Sequence, residues 1–465
     1  MSQAENNAYL GEKNIPVLML KFSIPCVLSL LISALYNIVD QIFIGNSELG
    51  TLGNAATGVV FPVFIVSQAF AWCLGDGCAS YLNIRQGADS TDKIHKTVGS
   101  GISVTLIASL VLIAVFYPVK IPMLTLFGAS ENSMGYAVRY FDIVVAFFPA
   151  YMLMNMINSV IRADGSPGWA MASMLAGALV NIALDALFIF AFKWGMAGAA
   201  WATVIGQTLS FAICVFYLIF KCKTFRLTLK SFIPDFKALS GALKLGVSSF
   251  ITQMTIVVLA VVCNIMLAKY GELSEYGKDI PIAVIAIESK VFTVVISLVV
   301  GIVLGCQPLI SYNMGAKKYG RVKTLYLYIL LCTAVISLIF TAVIEGAPRA
   351  VVGLFGEPKD VDSTAYWNFS TSLFRIFLMF VTFTCIIKMS SIFFQAVGKP
   401  VFAVISSLVR DLVCFVPLCC ILPAFYGIEG ILWAGPIADA IAIIVAVTLT
   451  AVYWHKMKKE GCSAD

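Results

Sequence analysis

Gly195-Met196-Ala197-Gly198, with Trp201-Ala202 behind it, returns 232 residues later as Gly427-Ile428-Glu429-Gly430 with Trp433-Ala434. Two further matches keep the same order. Gly77-Cys78 with Gly87-Ala88 returns as Gly305-Cys306 with Gly315-Ala316 at an offset of 228, and Gly165-Ser166-Pro167 returns as Gly398-Lys399-Pro400 at 233. Three ordered matches at nearly constant spacing mark an internal duplication. Each copy carries six long apolar runs, and six is even, so both copies enter a membrane in the same direction. The expected fold is all-α: a polytopic membrane protein with twelve transmembrane helices in two six-helix lobes. A pseudo-two-fold along the membrane normal relates the lobes, and a binding cavity is expected between them. Residues 1–220 are read as the N-terminal lobe, 221–239 as a basic linker and 240–465 as the C-terminal lobe.

Composition points the same way. The 465 residues are 60% hydrophobic and 12% charged, whereas soluble domains run about 45–50% apolar and about 25% charged. The apolar residues fall in continuous runs rather than alternating, which excludes a β-barrel. Spans are expected near 15–45, 52–82, 94–118, 136–162, 169–192 and 197–220, then near 240–270, 281–312, 322–346, 365–396, 401–424 and 430–454. The polar N-terminus lacks a cleavage site, so the first span is expected to be kept. Most of the 13 cysteines sit inside apolar runs without paired Cys-x-x-Cys spacing, which reads as packing rather than disulfide, zinc or redox chemistry.

Seventeen Lys and Arg fall in segments on the side of the termini, against six (Lys120, Lys193, Lys269, Lys278, Arg349, Lys359) on the other. The positive-inside rule then sets both termini in the cytoplasm of a multi-pass cell-membrane protein. These basic residues set topology and require no nucleic acid. A phosphate-binding loop, a His-Glu-x-x-His motif and a nucleophile elbow are all missing, and His95 and His455 lie outside the apolar runs. An enzyme is therefore not expected, nor a cofactor. Any transport must run on an ion gradient.

Charged groups at membrane depth are expensive, so each is a functional candidate. Asp40 in span 1 has Asn37 and Ser33 at helical spacing, and Asn181 and Asp185 stack one turn apart in span 5. Thr203 begins span 6. Two carboxylates, an amide and a hydroxyl suit a hard cation such as Na+, or a proton shared between carboxylates. At the repeat offsets Asp40, Asn181 and Asp185 become Cys263, Cys414 and Leu418, so the fold does not require the oxygen set. In the second half Glu288, Lys290, Arg375, Lys388, Arg410, Asp411 and Asp439 are the charged residues at depth. Arg410 and Asp411 are adjacent and are expected to face different partners, and Asp439 is read as structural near a helix end. Tyr36, Gln68, Tyr151, Asn155, Asn158, Met174, Glu288 and Arg410 are the candidates for lining the cavity, the methionine for its adaptability.

Ser33-Ala34-Leu35-Tyr36-Asn37-Ile38-Val39-Asp40-Gln41-Ile42-Phe43-Ile44-Gly45 resembles the span 1 signature of the multidrug and toxic compound extrusion (MATE) family, in its bacterial multidrug-export branch. Two more stretches are similar to motifs of that family: Gln307 through Tyr319 with Arg321 and Lys323, and Ile161-Arg162-Ala163-Asp164-Gly165-Ser166-Pro167. The resemblance spans essentially the whole chain. It implies a V-shaped cavity and antiport of amphiphilic organic cations against H+ or Na+, with Asp40, Asn181, Asp185 and Thr203 as the cation site. Carboxylates that some branches carry in spans 7 and 10 are not matched here. A lipid-linked-precursor flippase of the same superfamily is the alternative, kept open by Arg375, Lys388 and Arg410. The protein is expected to act as a monomer in the bilayer.

Overall fold

The computed structural model describes residues 9–90, 93–277, 279–353 and 363–459. Lys278, Lys359, Glu357 and Cys462 therefore lie outside the described residues. Ten helices are long and apolar enough to cross a membrane, and two bent pairs pass the same criterion together, giving twelve spans. Spans 1 to 3 are Ile15–Gly45, Gly50–Gly87 and Ile94–Leu126. Span 4 is the bent pair Glu131–Ala146 and Phe148–Ala163. Span 5 is Pro167–Asp185 continued by a π-helical turn, Ala186–Ala191, and span 6 is Met196–Phe220. The second lobe repeats the plan with Phe236–Glu272, Asp279–Gly315 and Tyr319–Gly346 as spans 7 to 9. Span 10 is the bent pair Ser363–Phe377 and Val381–Ala396. Span 11 runs from Pro400–Leu408 through a π-helical Val409–Phe415 into Val416–Ile421, and span 12 is Ile428–Lys459.

Local chemistry explains several boundaries. Pro167 and Pro400 open spans 5 and 11 at positions where a missing N–H leaves no bond unmade. Span 7 starts under an Asp235 cap, so it begins inside the stretch read as linker. The Ala238 and Lys237 backbone N–H groups donate to that carboxylate and hold it below the usual range. Spans 4 and 10 bend by 57° and 47° at matched places. Pro149 accounts for the first bend; no proline marks the second. Gly165 and Gly398 share φ near 79° and 77°, and Gly195 and Gly427 both take 58°. The matched turns thus need glycine for its backbone freedom, which is why the duplication stays legible there.

Among the described residues, contacts between the lobes run from the terminal face to about mid-span, where Phe70 packs against Phe250 and Gly301 against Val27. Buried cores near the face away from the termini are built from one half alone: Ile44, Val60, Phe141 and Ile189 in the first, Cys263, Val284, Phe374 and Cys414 in the second. Cores near the terminal face mix the halves, joining Leu18 and Phe22 to Val303 and Phe393, and Leu239 and Ala242 to Cys78 and Ile157. Glycines let the backbones meet. A Cβ built on Gly87 would lie 2.0 Å from the Tyr312 oxygen, and one on Gly315 would lie 2.0 Å from the Ile84 oxygen. Gly77 meets Ala242 and Gly246, and its repeat partner Gly305 meets Phe22 and Ser23. The seam is therefore two-fold symmetric.

The terminal face carries a strap as well. Asn313, Lys318 and Arg321 donate to the backbone oxygens of Leu10, Gly11 and Lys13 at 3.0, 3.0 and 2.7 Å. The motif around Asn313-Met314-Gly315 thus clamps the start of the first lobe onto the second. The twelve described cysteines are all free thiols. Large apolar side chains such as Leu110, Val111, Leu331 and Ile444 face outward, as lipid contact demands.

Candidate functional site

Spans 5 and 6 touch backbone to backbone. A Cβ on Gly206 would lie 2.6 Å from the Gly177 oxygen, and one on Gly177 would lie 2.6 Å from the Gly206 oxygen. This contact sets the span 5 face bearing Asn181 against the span 6 face bearing Thr203. Span 1 closes the third side. The three spans and Met154 of span 4 line a small, half-open cavity bordered by Ser33, Tyr36, Met174, Asn181, Thr203 and Gln207 among others.

Asp40 and Asp185 lie behind that lining, at 8% and 0% exposure. Their carboxylates interact directly, with Asn181 beside Asp185. Yet one oxygen of Asp40, both oxygens of Asp185 and both amide atoms of Asn181 are buried without a hydrogen-bond partner. Two carboxylates can hydrogen-bond each other only through a proton, because neither donates when ionised. Buried polar groups are otherwise almost always satisfied. These five orphaned atoms fit a hydrogen ion or a small hard cation, and the donor set is all oxygen apart from the amide nitrogen. No cluster of three or more His, Cys, Asp or Glu side chains occurs among the described residues, so the set relies on Asn181 and Thr203 to complete it. The Thr203 hydroxyl donates to its own-helix Ala199 oxygen at 3.0 Å and has the Tyr140 side chain beside it.

Other candidates fall elsewhere. Asn37 is exposed and donates to the Ser33 oxygen of its own helix at 2.7 Å, apart from the buried Asp40. Tyr36 and Met174 line the cavity. Tyr151 packs edge-on against Phe64, and Asn155 accepts from Trp72 at 3.4 Å. Asn158 is buried in a network with Ala170, Ser173 and Arg162 that ties span 4 to span 5, so it is not a lining residue. Gln68 accepts from Gln253 across the seam at 3.0 Å.

Glu288 and Arg410 lie inside the second lobe and line neither cavity in the structure. Arg410 donates to Asp411 and to Asp439, each at 2.8 Å, and Lys388 donates to Asp411 at 2.8 Å. Adjacent Arg410 and Asp411 thus have the separate partners expected, Asp439 and Lys388, and also bind each other, on a π-helical stretch where α-helical spacing rules lapse. Asp439 sits well inside span 12 and also accepts from Thr384 at 2.7 Å, so it belongs to a buried network rather than a helix end. Cys263 and Cys414, the counterparts of Asp40 and Asn181, are packed in the apolar core of this lobe.

Sequence reasoning passed over Asp76. It sits in span 2 between Gly75 and Gly77, 4% exposed, and accepts from Ser159 at 2.8 Å and Ser249 at 3.1 Å, with Arg162 at 3.6 Å. The signal was available: a carboxylate inside an apolar run. Asp164 was read only as part of a motif. Its carboxylate accepts from Tyr217, from the Lys223 and Thr224 backbones and from the Thr224 hydroxyl, pinning the loop after span 4 to the end of span 6.

Residues 25–187 and 248–421 match the MatE family model, one segment in each half, and the chain belongs to that family. It is accordingly a multi-pass membrane transporter and not an enzyme. Over 447 residues it is 25% identical to the multidrug export protein MepA of Staphylococcus aureus strain MSSA476, covering 96% of each chain. It is equally identical over 444 residues to MepA of Staphylococcus haemolyticus, covering 94% of each. In fold it is similar to a MOP-superfamily transporter from Pyrococcus furiosus described as having a binding pocket of reversed polarity (TM-score 0.88, 23% identity, 98% of each chain). A MATE structure in complex with MaL6 matches as closely (TM-score 0.88, 24% identity, 98% of this chain and 99% of that one).

Proposed function

We propose that the protein is a secondary antiporter that exports amphiphilic organic cations in exchange for H+ or Na+, working as a monomer in the cell membrane. The observation that carries this reading is the buried, unsatisfied set of Asp40, Asn181 and Asp185 beside the first-lobe cavity. A single proton or sodium ion there and a cationic substrate nearby draw on the same negative charge, so each weakens the other's binding. That competition is what exchange needs. The MepA relatives named above, multidrug export proteins, support the substrate class.

Both termini lie in the cytoplasm on this reading, by the Lys and Arg excess on that face. The lobes meet on the terminal face, so the cavity side of the V opens outward, the release stage of an export cycle. The flippase alternative would need unpaired basic groups on the cavity wall. Lys388 and Arg410 are instead neutralised by Asp411 and Asp439. The test is transport by purified protein in proteoliposomes, with pH and sodium gradients imposed separately and a panel of cationic dyes. Exchange driven by one gradient is expected. Dye movement indifferent to both would overturn the proposal.

A further inference from the structure

Beside the strap formed by Asn313, Lys318 and Arg321, polar side-chain bonds cross the seam between the lobes along spans 1, 2, 7 and 8. Gln253 donates to Gln68, Gln307 to Ser80 at 2.9 Å, Ser23 to the Ile302 oxygen at 3.2 Å, and Ser249 to Asp76 at 3.1 Å. Of these the last is the one that involves a carboxylate, and charge-assisted bonds are roughly twice as strong as neutral ones; the charged Lys318 and Arg321 reach backbone oxygens of the other lobe further out, in the strap on the terminal face.

The surroundings of Asp76 are arranged around that bond. On its own lobe, Ser159 donates to one carboxylate oxygen, and the Arg162 guanidinium stands 3.6 Å away as counter-charge. Arg162 is itself fixed by Asn158 at 2.6 Å and Ser159 at 2.9 Å. On the opposite lobe, the Gln395 amide donates to Leu245 and to the Ser249 hydroxyl, both at 3.0 Å. The Ser249 proton then has the Asp76 carboxylate at 3.1 Å as its nearer acceptor, against the Gln395 Oε1 at 3.4 Å. Arg162 also borders a second, small cleft of the first lobe, with Ser29 and Met174, which Leu304 of the other lobe closes. One residue therefore serves both the cavity floor and the seam.

We propose that Asp76 is a positioning residue for transport: held from within its lobe by Arg162 and Ser159, it grips Ser249 of the other lobe and sets how readily the lobes part at the terminal face. The inference rests on the two-lobe transporter fold and not on the identity of the coupling ion, so its test reads conformation rather than transport.

Spin labels at the exposed Lys93 and Lys323 positions, in a background without reactive native thiols, report the separation of the lobes at that face. Ser249→Ala removes the cross-seam bond and, within its own lobe, the bond from Gln395, whose amide keeps the Leu245 oxygen as an acceptor. The expected result is a rise of about tenfold in the ratio of parted to closed lobes, the size of one lost bond to a charged group. Ser159→Ala removes a bond to the same carboxylate within one lobe and should leave that ratio within about twofold. Asp76→Asn should shift it in the same direction as Ser249→Ala, and the double variant should add little, because the two changes remove one interaction. An unchanged ratio in Ser249→Ala, an equal shift in Ser159→Ala, or additive shifts in the double variant would each overturn the proposal.

Discussion

Replacing Gly206 with alanine adds one methyl group at the contact that aligns spans 5 and 6. The new carbon would stand 2.6 Å from the Gly177 oxygen and 3.0 Å from the Asn181 Cβ. Ordinary contacts between such atoms lie at about 3.5 Å or more, so the helices must part by about 1 Å. Overpacking of this kind costs about 1–3 kcal/mol, which a twelve-span protein should survive. The cation site should not survive intact, since Asn181 lies directly against the displaced contact. Losing one well-placed ligand to a charge is worth about 1.5–3 kcal/mol, or about tenfold to a hundredfold in ion affinity. The assay is dye export against ion concentration in proteoliposomes, on protein that remains monodisperse in detergent. Gly58→Ala is the control, because nothing lies within 4 Å of a Cβ there. A Gly206→Ala protein with wild-type ion dependence would refute the argument that this glycine contact sets the site.

Asp185→Asn should keep the fold and its thermal midpoint, since the amide is nearly isosteric, while abolishing gradient-driven export; export of a monovalent cation at the wild-type rate would move the search to Glu288. Asp40→Asn is expected to act in the same direction and slightly less. Asn181→Ala should weaken sodium coupling more than proton coupling, read by comparing the two imposed gradients, because an amide oxygen can ligand sodium but does not titrate near neutrality. Asp411→Ala leaves Lys388 without its buried partner and Arg410 with Asp439 alone, so thermal unfolding in detergent should register a loss of about 3–5 kcal/mol. Cysteine placed near Ser47 should react with impermeant thiol reagents outside intact cells and one near Lys317 should not; the reverse pattern would place the termini outside.

Twelve spans and their pairing into two repeats were legible because apolar length and matched glycines are local properties. The union of Asp40, Asn181 and Asp185 was legible for a different reason. Depth in the membrane makes each of them costly, and their repeat counterparts are Cys263, Cys414 and Leu418. What opposes a side chain in space is not written in its spacing. Asn158 met Arg162 and Ser173 rather than a cavity, and Gln68 met Gln253 of the other lobe. Arg410 and Asp411 do find separate partners in Asp439 and Lys388, but the π-helical turn also lets them meet each other, which α-helical spacing does not foresee. Asp76 was lost inside its apolar run, because half of its bonding exists only once the lobes have met.

The seam joining Gly77, Gly87, Gly246, Gly305 and Gly315 to facing backbone bears on turnover speed. An interface of interlocking leucines or methionines must find one combination of rotamers each time it closes, and ordering such side chains costs up to about 2 kcal/mol each. Glycine has no rotamers to order. Nor does lipid supply a strong hydrophobic drive to hold the helices together. At the glycine contacts there is little to re-sort on closing, which leaves the ordering cost to the side chains packed around them, such as Leu18, Phe22, Val303 and Phe393. The same absence of side chains that lets the backbones meet so closely is what allows them to let go.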